Sequence, residues 1–331
     1  MKGCDYALSK KSKNKLPLII KILIIFISIL ILLLGIAFGI FYTSINKMNT
    51  VKINKEDLAI VDDKELEQFT KPEKIENIAL FGIDSPDGIG RSDAIMIATL
   101  DPIHNKLKIT SIMRDSYVNI PDRGYDKINH AYAFGGPELS IKTINQNFGL
   151  NIEDFVAVDF NSLPKVIDTL GGMTLDITSE ELRYINGYID GLNSRNKTNS
   201  PHITSTGSQK VNGTQALAYS RIRYTSGGDY KRTERQRTVL NNLFNIALST
   251  SISSYPSLVN EVLPLINTSL TANDILSLAT KTIGMDNVKL EQERFPRDNY
   301  CNGDMINGIY YLVFDEAKTK EQMMHYIFDD K

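Results

Sequence analysis

The sequence predicts an α/β domain with α/β/α layers around a central mixed β-sheet, carried outside a membrane by a single N-terminal helix. Three observations predict this class. Residues 22–41 form an uncharged apolar run, short apolar runs of strand length alternate with helical stretches beyond residue 75, and 42% of the 331 residues are hydrophobic. Alternating strands and helices are typical of layered α/β domains with a buried sheet.

The N-terminal 42 residues are predicted to anchor the chain. About 20 apolar residues match a hydrocarbon core of about 30 Å. Residues 1–21 carry six lysines against Asp5, a net charge of +5, which places this tail in the cytoplasm and the remainder outside the cell. No small-residue cleavage site follows the run, so we expect an uncleaved single-pass membrane helix at residues 22–42.

The remaining chain is predicted to contain three parts. Residues 43–74 are polar and mixed in charge, and we expect them to form an extracellular stalk. Residues 75–250 contain the strongest strand and helix patterns and form the main domain. Residues 251–331 are predicted to be a C-terminal extension of helices and a strand that packs on this domain.

The periodicity of apolar residues predicts the elements. Strands are predicted at Ile78–Ile83, Ile95–Leu100, Leu107–Met113, Phe155–Phe160, Met173–Ile177 and Val288–Arg294. Helices are predicted at Pro137–Phe148, Leu163–Leu170, Gln215–Arg221, Arg232–Leu248, Ser257–Leu265, Asn273–Ile283 and Lys320–Phe328. The turn residues 101–106 predict a hairpin between the second and third strands. Residues 183–206 are rich in Asn, Ser, Gly and Thr, which predicts a long exposed loop.

Composition excludes several classes of function. The net charge is -2 and the pI is about 6.1, so no nucleic-acid partner is expected. The two cysteines, Cys4 and Cys301, are predicted to lie on opposite sides of the membrane, which excludes a disulfide framework. No histidine pair has metal-ligand spacing, and no Walker, dinucleotide-binding or zinc-protease motif is present.

Two aspartates bracket a glycine-rich loop between the first two predicted strands. Asp84 ends one strand, Asp93 begins the next, and Arg91 lies between them. Carboxylates beside an arginine suit a hydrated divalent cation and the phosphate that it binds. A solvated turn has the same composition, so this loop alone leaves both interpretations open.

An arginine and an aspartate follow the third predicted strand. Arg114 comes directly after Leu107–Met113 and must find a partner or stay exposed. A salt bridge to Asp115 or to another carboxylate explains this pair as well as a bound anion does.

The most specific cluster begins at the end of the helix predicted over residues 215–221. Arg221 and Arg223 are two residues apart, which places both on one face if the chain runs on as a strand. The pair Gly227-Gly228 then permits a tight turn toward the next helix.

The helix after this turn adds a second basic face. Arg232, Arg235 and Gln236 have i, i+3, i+4 spacing, and Asp229 is a candidate N-cap. Two basic faces that converge near a helix N-terminus predict an anion site, with guanidinium forks matched to phosphate oxygens.

Ordered sequence elements connect these clusters over residues 77–241. In order they are Gly82-x-Asp84-Ser85, Gly90-Arg91-Ser92-Asp93, Ser111-Ile112-x-Arg114-Asp115, Lys127-Ile128-Asn129-x-Ala131-Tyr132, Gly135-Gly136-Pro137, Leu170-Gly171-Gly172, Leu217-Ala218-Tyr219-x-Arg221-x-Arg223 and Gly228-Asp229-x-x-Arg232-x-x-Arg235-Gln236. In these elements the sequence resembles the LytR-CpsA-Psr family. Two positions depart from the family pattern: Pro86 stands where an arginine is frequent, and Met113 stands where a proline is usual.

The resemblance implies one transmembrane helix, an extracellular catalytic domain and a phosphotransferase activity. The implied reaction moves an anionic glycopolymer, of the teichoic-acid or capsular kind, from a polyprenyl-pyrophosphate carrier to peptidoglycan. It forms a phosphodiester and releases polyprenyl phosphate. The expected partners are therefore the lipid-linked polymer, peptidoglycan and the membrane.

The resemblance also implies residue roles. Asp84 and Asp93 would hold Mg²⁺, or Mn²⁺ in its place. The residues implied to act on the pyrophosphate are Arg91, Asp93, Arg114, Arg221, Arg223 and Arg232. Those implied to support substrate binding are Asp115, Asp229, Arg235 and Gln236.

Two alternatives stay open at the level of sequence. The same site could hydrolyse a polyprenyl pyrophosphate with water as the acceptor. A non-catalytic envelope regulator that binds polymer is the other alternative, although a cytoplasmic end of 21 residues is too short to fold into a DNA-binding domain.

The lipid carrier adds one further expectation. A polyprenyl tail needs apolar surroundings, and each buried CH₂ contributes about 0.8 kcal/mol. We therefore expect an apolar tunnel inside the domain, with its wall drawn from Leu139, Ile144, Phe148, Leu163, Val166, Ile167 and Leu170.

Overall fold

A computed structural model describes residues 49–84, 90–250, 260–285 and 288–331 of the chain. Within these ranges no helix combines the length and apolar character needed to cross a bilayer. The predicted cytoplasmic tail at 1–21 and the predicted membrane helix at 22–42 lie outside the described residues.

Strands and helices alternate along the described chain. The strands are β1 (Asn49–Thr50), β2 (Glu76–Ile83), β3 (Ser92–Asp101), β4 (Lys106–Ile112), β5 (Tyr117–Ile120), β6 (Gly124–Lys127), β7 (Asp154–Asp159), β8 (Met173–Ile177), β9 (Gly207–Val211), β10 (Asn267–Thr268), β11 (Lys289–Phe295), β12 (Cys301–Ile306) and β13 (Ile309–Phe314). The α-helices are α1 (Asp63–Leu66), α2 (His130–Phe148), α3 (Ser162–Thr169), α4 (Ser179–Asn196), α5 (Gly213–Arg221), α6 (Gly228–Ser249), α7 (Ala272–Ile283) and α8 (Glu316–Met324). A π-helical turn, His325–Asp329, follows α8.

The central sheet is mixed, as the sequence predicts. Within the described residues it has seven strands in the order β1-β10-β7-β2-β3-β4-β11. The predicted hairpin is confirmed, because β3 and β4 pair antiparallel, while β2 pairs parallel with β7. Alternate residues of β2 are buried, which is the period of two expected of a strand packed in layers.

Helices cover both faces of this sheet. On one face, the ring of Phe81 lies 5.3 Å from that of Tyr132 in α2, and Met323 and Phe328 near the C-terminus join the same core. On the other face, Leu80 and Met96 face α6. The arrangement is therefore α/β/α, and the site described below lies at one end of its central strands.

The predicted stalk is the first correction. Residues 49–74 do not stand apart from the domain: Leu58, Val61, Leu66 and Phe69 are buried in the core, and β1 pairs with β10 of the central sheet. The prediction was based on the average polarity of this segment, whereas its four apolar side chains determine how it packs.

The predicted C-terminal extension is also part of the sheet. Strand β11 pairs in parallel with β4 along its whole length, and it begins one residue after the predicted strand start. The sheet therefore continues across the predicted boundary at residue 250. Of the helix predicted at 257–265, residues 260–262 are helical and 263–265 form a 3₁₀ turn, while 251–259 lie outside the described residues.

The loop predicted at residues 183–206 is wrong over most of its length. Helix α4 occupies 179–196, and it starts with a capping box between Thr178 and Glu181. Its apolar residues Ile185, Ile189 and Leu192 recur at helical spacing and are buried. The abundance of Asn, Ser and Gly predicts a loop because these residues have a low helix propensity. Tertiary packing of the apolar face overrides that propensity here.

The helix start predicted at Pro137 corresponds to a kink and not to the helix boundary, because α2 begins at His130 and continues across Gly135-Gly136. Both glycines have non-helical backbone angles inside α2, and Gly136 has φ of 64°. Pro137 then lies in the first turn of the straight segment that ends at Gly149, as expected of a residue that lacks a backbone N–H.

Candidate functional site

The predicted site residues come from five segments that meet at the same ends of the central strands. Asp84 follows β2 and Arg114 follows β4, while Asp93 lies at the start of the antiparallel β3 between them. The ends of β2 and β4 and the start of β3 therefore meet. Helices α5 and α6 bring the remaining arginines to the same place.

Asp93 occupies a β-bulge. In the pairing of β2 with β3, Gly82 opposes Ala94 but Ile83 opposes Ser92, so Asp93 is the extra residue. A bulge turns such a side chain away from the regular alternation. The carboxylate of Asp93 accepts a hydrogen bond from Arg114 Nη1 at 2.6 Å.

Arg114 is surrounded by carboxylates. Besides Asp93, its Nε lies 3.5 Å from Asp115 Oδ2 and 3.8 Å from Asp229 Oδ1. Asp115 in turn accepts a hydrogen bond from Lys127 Nζ at 2.8 Å. Of the two interpretations that the sequence allowed for Arg114, the structure shows the salt bridge, and its carboxylate partners belong to the site cluster.

Asp84 is held by two arginines from different helices. Arg195 Nη1 in α4 donates to Asp84 Oδ1 at 3.2 Å, and Arg221 Nη2 lies 3.6 Å from Asp84 Oδ2. The guanidinium of Arg221 also lies 4.5 Å from the ring centroid of Phe160, within cation–π range. Arg195 is a site residue that the sequence analysis missed, because its helix was predicted as a loop.

The strand predicted after Arg221 is wrong. Arg221 is the last residue of α5, and the chain then leaves the helix in an extended conformation at Ile222. Arg223 nevertheless reaches the cluster, with Nη2 at 3.5 Å from Asp93 Oδ2. A helix end followed by a bend brings the two arginines together as well as a strand would.

Helix α6 presents one polar face to the site. Asp229 lies in the first turn of α6 rather than at the predicted N-cap. A negative charge in the first turn interacts favourably with the helix dipole. Arg232 Nη2 lies 2.9 Å from Asp229 Oδ1, and Gln236 Nε2 donates to the backbone oxygen of Asp93 at 3.5 Å. Burial and the neighbouring arginines lower the pKa of Arg232 to about 10, so it remains charged near neutral pH.

Arg235 lies behind this face. Its Nε donates to Glu181 Oε1 at 2.6 Å, and its other nitrogens donate to Ile222 O and Thr225 Oγ1 at 3.1 and 2.8 Å. All of these partners belong to the protein, so the structure places Arg235 as a support for the segment that carries Arg223.

Several guanidinium donors in the cluster lack a partner. Arg114 Nε, Arg221 Nη1 and Arg232 Nε are buried and have no hydrogen-bond partner among the described residues. Buried donors are normally satisfied, and a donor that lacks a partner costs free energy. Arg114 Nε lies within ion-pair distance of Asp115, so the donors of Arg221 and Arg232 are the ones left for an anion.

Two adjoining cavities open beside these donors. One, of about 430 Å³, is lined by Asp84, Arg91, Asp93, Arg114 and Arg223 among others. The second, of about 210 Å³, shares Asp93 and Arg223 and adds Tyr188, Tyr224, Phe160, Arg221, Arg232 and Gln236. Arg91 thus lies in the site as predicted, whereas Tyr188 and Tyr224 were not predicted.

A third cavity, of about 150 Å³, is almost wholly apolar. It lies between the sheet and α6, where Leu80, Met96, Val156 and Leu240 contribute to its wall. Phe160 and Gln236 line both this cavity and the second polar one. An apolar space therefore begins where the cluster of arginines ends.

The predicted tunnel wall needs correction. Only Leu163 of the seven predicted residues lines the apolar cavity. Ile144 and Phe148 are fully buried against the opposite face of the sheet. Ile144, Phe148 and Ile167 are core residues, because apolar helix faces point toward the sheet on both of its sides.

The carboxylates suit a divalent cation only together with a ligand. Asp84 and Asp93 line the same cavity. Over the part of the chain that the structure describes, no group of three or more His, Cys, Asp or Glu could form an all-protein metal site. Mg²⁺ commonly uses one or two carboxylates and completes its shell with phosphate oxygens and water, so the donor set fits that cation.

The fold and the site together define an α/β protein that binds a phosphate-containing anion next to an apolar cavity. The LytR_cpsA_psr family matches residues 40–326. The chain belongs to this family, which confirms the resemblance identified from the sequence.

Known relatives are similar over most of the chain. A polyisoprenyl-teichoic acid–peptidoglycan teichoic acid transferase TagU of Oceanobacillus iheyensis is 34% identical over 265 residues, which are 76% of each chain. The regulatory protein MsrR of Staphylococcus aureus is 35% identical over 187 residues, 55% of this chain and 53% of its own. The structure of Bacillus subtilis YwtF (TagT) with bound octaprenyl pyrophosphate has a TM-score of 0.58 and 24% identity, covers 78% of this chain and 92% of its own, and shares the fold.

The ionisation of Asp93 gives a testable pH dependence. Burial alone would raise the pKa of this carboxyl, but Arg114, Arg232 and Arg223 hold it below its usual range. A carboxyl with a lowered folded pKa stabilises the fold above its unfolded pKa of about 3.9 and loses that contribution at lower pH. We expect the free energy of unfolding of wild type to exceed that of Asp93→Asn by a constant amount above about pH 5, and the difference to shrink below about pH 4. Urea denaturation between pH 2.5 and 8 measures it, and a difference that does not change over this range would contradict the assignment.

Proposed function

We propose that this protein transfers an anionic glycopolymer from a polyprenyl-pyrophosphate carrier to peptidoglycan, with a phosphodiester as the product. The observation that carries the proposal is the arginine cluster around Asp93, in which Arg221 and Arg232 keep buried guanidinium donors without hydrogen-bond partners among the described residues. The name of the TagU relative and the lipid bound to the TagT structure support it. A pyrophosphate offers the several anionic oxygens that such a set of donors requires.

The pyrophosphate lies in the polar cavities, with its lipid side toward Phe160 and Gln236. Arg221, Arg223 and Arg232 then surround the phosphate that leaves with the lipid, and Arg114 contacts the phosphate that carries the polymer. Phosphoryl transfer depends mainly on positioning and on neutralising charge, and a cluster of fixed arginines supplies both. Arg235 holds the backbone near Arg223 and contributes through that contact.

A divalent cation completes the site in this proposal. Asp84 and Asp93 would hold Mg²⁺, which neutralises charge on the pyrophosphate when it is bound. The carboxylate of Asp93 also orients Arg114 and Arg223. In the free protein the carboxylate of Asp84 is paired with Arg195 and Arg221. A cation at Asp84 would therefore require at least one of these arginines to leave the carboxylate and contact the phosphate.

The apolar cavity receives the lipid chain. It adjoins the site through Phe160 and Gln236, so a tail can enter it directly from the pyrophosphate. The membrane helix expected at residues 22–42 would hold the domain beside the bilayer that delivers this lipid. We propose the outer face of the cell membrane as its location on that basis.

The reaction itself is tested with lipid-linked polymer and soluble peptidoglycan oligomers. Mass spectrometry should show the polymer phosphate on the glycan, and Arg114→Ala and Arg221→Ala should each lower the rate by about 10²-fold to 10³-fold. Arg123→Ala is the matched control and should be near neutral, because Arg123 contacts Phe134 and lines neither polar cavity. Transfer to water alone would identify a hydrolase, and equal losses in all three variants would point to a folding defect.

Removal of divalent cations tests the metal proposal. We expect excess chelator to abolish transfer, added Mg²⁺ to restore it, and Asp93→Ala to remain inactive at every Mg²⁺ concentration. The reason is that one of the two proposed protein ligands is then absent. A rate that is unchanged under excess chelator would contradict the metal requirement.

The lipid cavity predicts a dependence on chain length. The affinity of residues 45–331 for polyprenyl phosphates should rise with each added isoprene unit until the cavity is filled, because each buried CH₂ contributes about 0.8 kcal/mol. Leu240→Asp places a charge in the cavity wall and should remove this rise, whereas Leu276→Asp on the exposed side of α7 should not. Native mass spectrometry measures the affinity of wild type and of each variant for every chain length. An affinity independent of chain length would show that the tail stays in the membrane.

A further inference from the structure

The two guanidinium partners of Asp84 are not equivalent. Arg195 Nη1 donates a hydrogen bond to Asp84 Oδ1 at 3.2 Å, whereas Arg221 Nη2 lies 3.6 Å from Oδ2, which is an ion-pair distance only. Arg195 is therefore the closer partner. It comes from α4 and belongs to none of the ordered sequence elements that identify the family.

Arg221 belongs to the anion site. Its side chain lines the second polar cavity, and its guanidinium lies 4.5 Å from the ring centroid of Phe160. The buried donor Nη1 has no hydrogen-bond partner among the described residues. An anion in this cavity would satisfy that donor, so Arg221 has a second partner available when it leaves Asp84.

Arg195 has no such second partner. It lines neither polar cavity, and Asp84 is its one hydrogen-bond and ion-pair partner among the described residues. Its side chain is 36% exposed, so water can solvate the guanidinium when it leaves the carboxylate. Exposed ion pairs contribute little to stability, and separating this one therefore costs little.

The backbone that carries Arg195 is fixed. Asn193 Nδ2 donates to Ser200 O at 2.9 Å, and Ser200 N donates to Asn193 Oδ1 at 2.8 Å. Ser200 Oγ in turn donates to Asn212, the N-cap of α5, at 2.9 Å. The last turn of α4 is thus connected to α5, and the side chain of Arg195 can move without its helix.

A cation at Asp84 competes with Arg195. Mg²⁺ binds carboxylate oxygens at about 2.1 Å, so a guanidinium hydrogen-bonded to the same carboxylate would lie close to the ion and repel it. Without a cation the situation is reversed. Asp84 lines the first polar cavity, where an uncompensated carboxylate would repel a pyrophosphate.

We propose that Arg195 is an exchangeable counter-ion of Asp84, which neutralises the carboxylate until a divalent cation displaces it. This inference rests on the proposed function, and in particular on the cation proposed at Asp84. Arg195 is then a positioning residue, because it acts on the ligands through Asp84. Two opposite effects follow: Arg195 weakens the binding of a cation alone and strengthens the binding of an anion alone.

The binding of a cation alone is tested with Mn²⁺, whose electron paramagnetic resonance signal reports the free ion. With the full chain in phosphatidylcholine nanodiscs, we expect Arg195→Gln to bind Mn²⁺ about twofold to fivefold more tightly than wild type, the range that an exposed ion pair supplies. An unchanged affinity would overturn the proposal.

Arg183→Gln is the matched control for this titration. It removes the same charge from an exposed position of α4, about 18 Å away along the helix and beyond the Debye length. Its affinity for Mn²⁺ should equal that of wild type. An equal increase in Arg183→Gln and Arg195→Gln would show an effect of net charge and would overturn the proposal.

The binding of an anion alone is tested with inorganic pyrophosphate in the presence of EDTA. Calorimetric titration should show that Arg195→Gln binds pyrophosphate about twofold to fivefold more weakly than wild type, because Asp84 is then less compensated. Arg195→Lys retains the charge and should lie between the two in both titrations. A pyrophosphate affinity that is unchanged or higher in Arg195→Gln would contradict the proposed role.

Asp84→Asn tests whether Arg195 acts through this carboxylate. The variant should bind Mn²⁺ more weakly than wild type, and the addition of Arg195→Gln should cause no further change, because the two residues then share no interaction. If the double variant binds Mn²⁺ more tightly than Asp84→Asn, Arg195 acts elsewhere and the inference is wrong. Thermal unfolding of each variant shows whether its fold is retained.

The outcomes distinguish this inference from the proposed function. If Asp84→Asn binds Mn²⁺ as wild type does, the proposed cation site is wrong and the inference fails with it. If the binding of Mn²⁺ depends on Asp84 but not on Arg195, the cation site remains and the inference alone fails. Neither titration depends on whether the acceptor of the phosphate is a glycan or water.

Discussion

Asp93 lies between Arg114 and Arg223, and the rest of the site depends on this carboxylate. Like charges 4 Å apart repel by about 4 kcal/mol at an effective dielectric constant near 20, so arginines do not gather without compensation. Asp93 compensates two of them, and Asp229 compensates Arg232. The carboxylates do not satisfy every guanidinium donor, because Arg221 Nη1 and Arg232 Nε have no hydrogen-bond partner among the described residues. The β-bulge that turns Asp93 toward the arginines is therefore the local irregularity on which the site is built.

A second carboxylate, that of Glu181, neutralises an arginine behind the site. Glu181 accepts hydrogen bonds from Thr178 through Oε2 and from Arg235 through Oε1, so one side chain caps α4 and ties it to α6. Arg235 completes this contact at Ile222 O and Thr225 Oγ1. Breaking one partner of such a buried pair leaves an uncompensated charge, which is strongly destabilising. This network explains why Arg235, within a basic stretch of sequence, lines neither polar cavity: its position on the helix, and not its residue type, directs it to Glu181.

The sequence could predict the strands of the main domain and most of the arginine cluster, because both depend on local spacing. It could not predict the role of residues 49–74, since a strand contributed from a distant segment carries no local signal. The polar composition of residues 183–196 does not indicate helix α4, so the position of Arg195 could not be predicted. The capping box at residues 178 and 181 is the one local signal that indicates the start of this helix. The hairpin of β12 and β13 packs on the segment after β4, where Leu312 N donates to Asp115 O, and such long-range placement follows from topology alone.

Gly82 shows how closely the polar and apolar parts of the site are joined. A Cβ on this residue would lie 3.0 Å from the Cβ of Ala94, so β2 and β3 approach each other closely there and a side chain would require Ala94 to shift. Gly82 also lines the apolar cavity, and the register shift that frees Asp93 begins at the same residue. Two residues farther along the chain, Asp84 already faces the arginines. The change from an apolar cavity wall to a charged one therefore occurs between Gly82 and Asp84, within three residues of the chain.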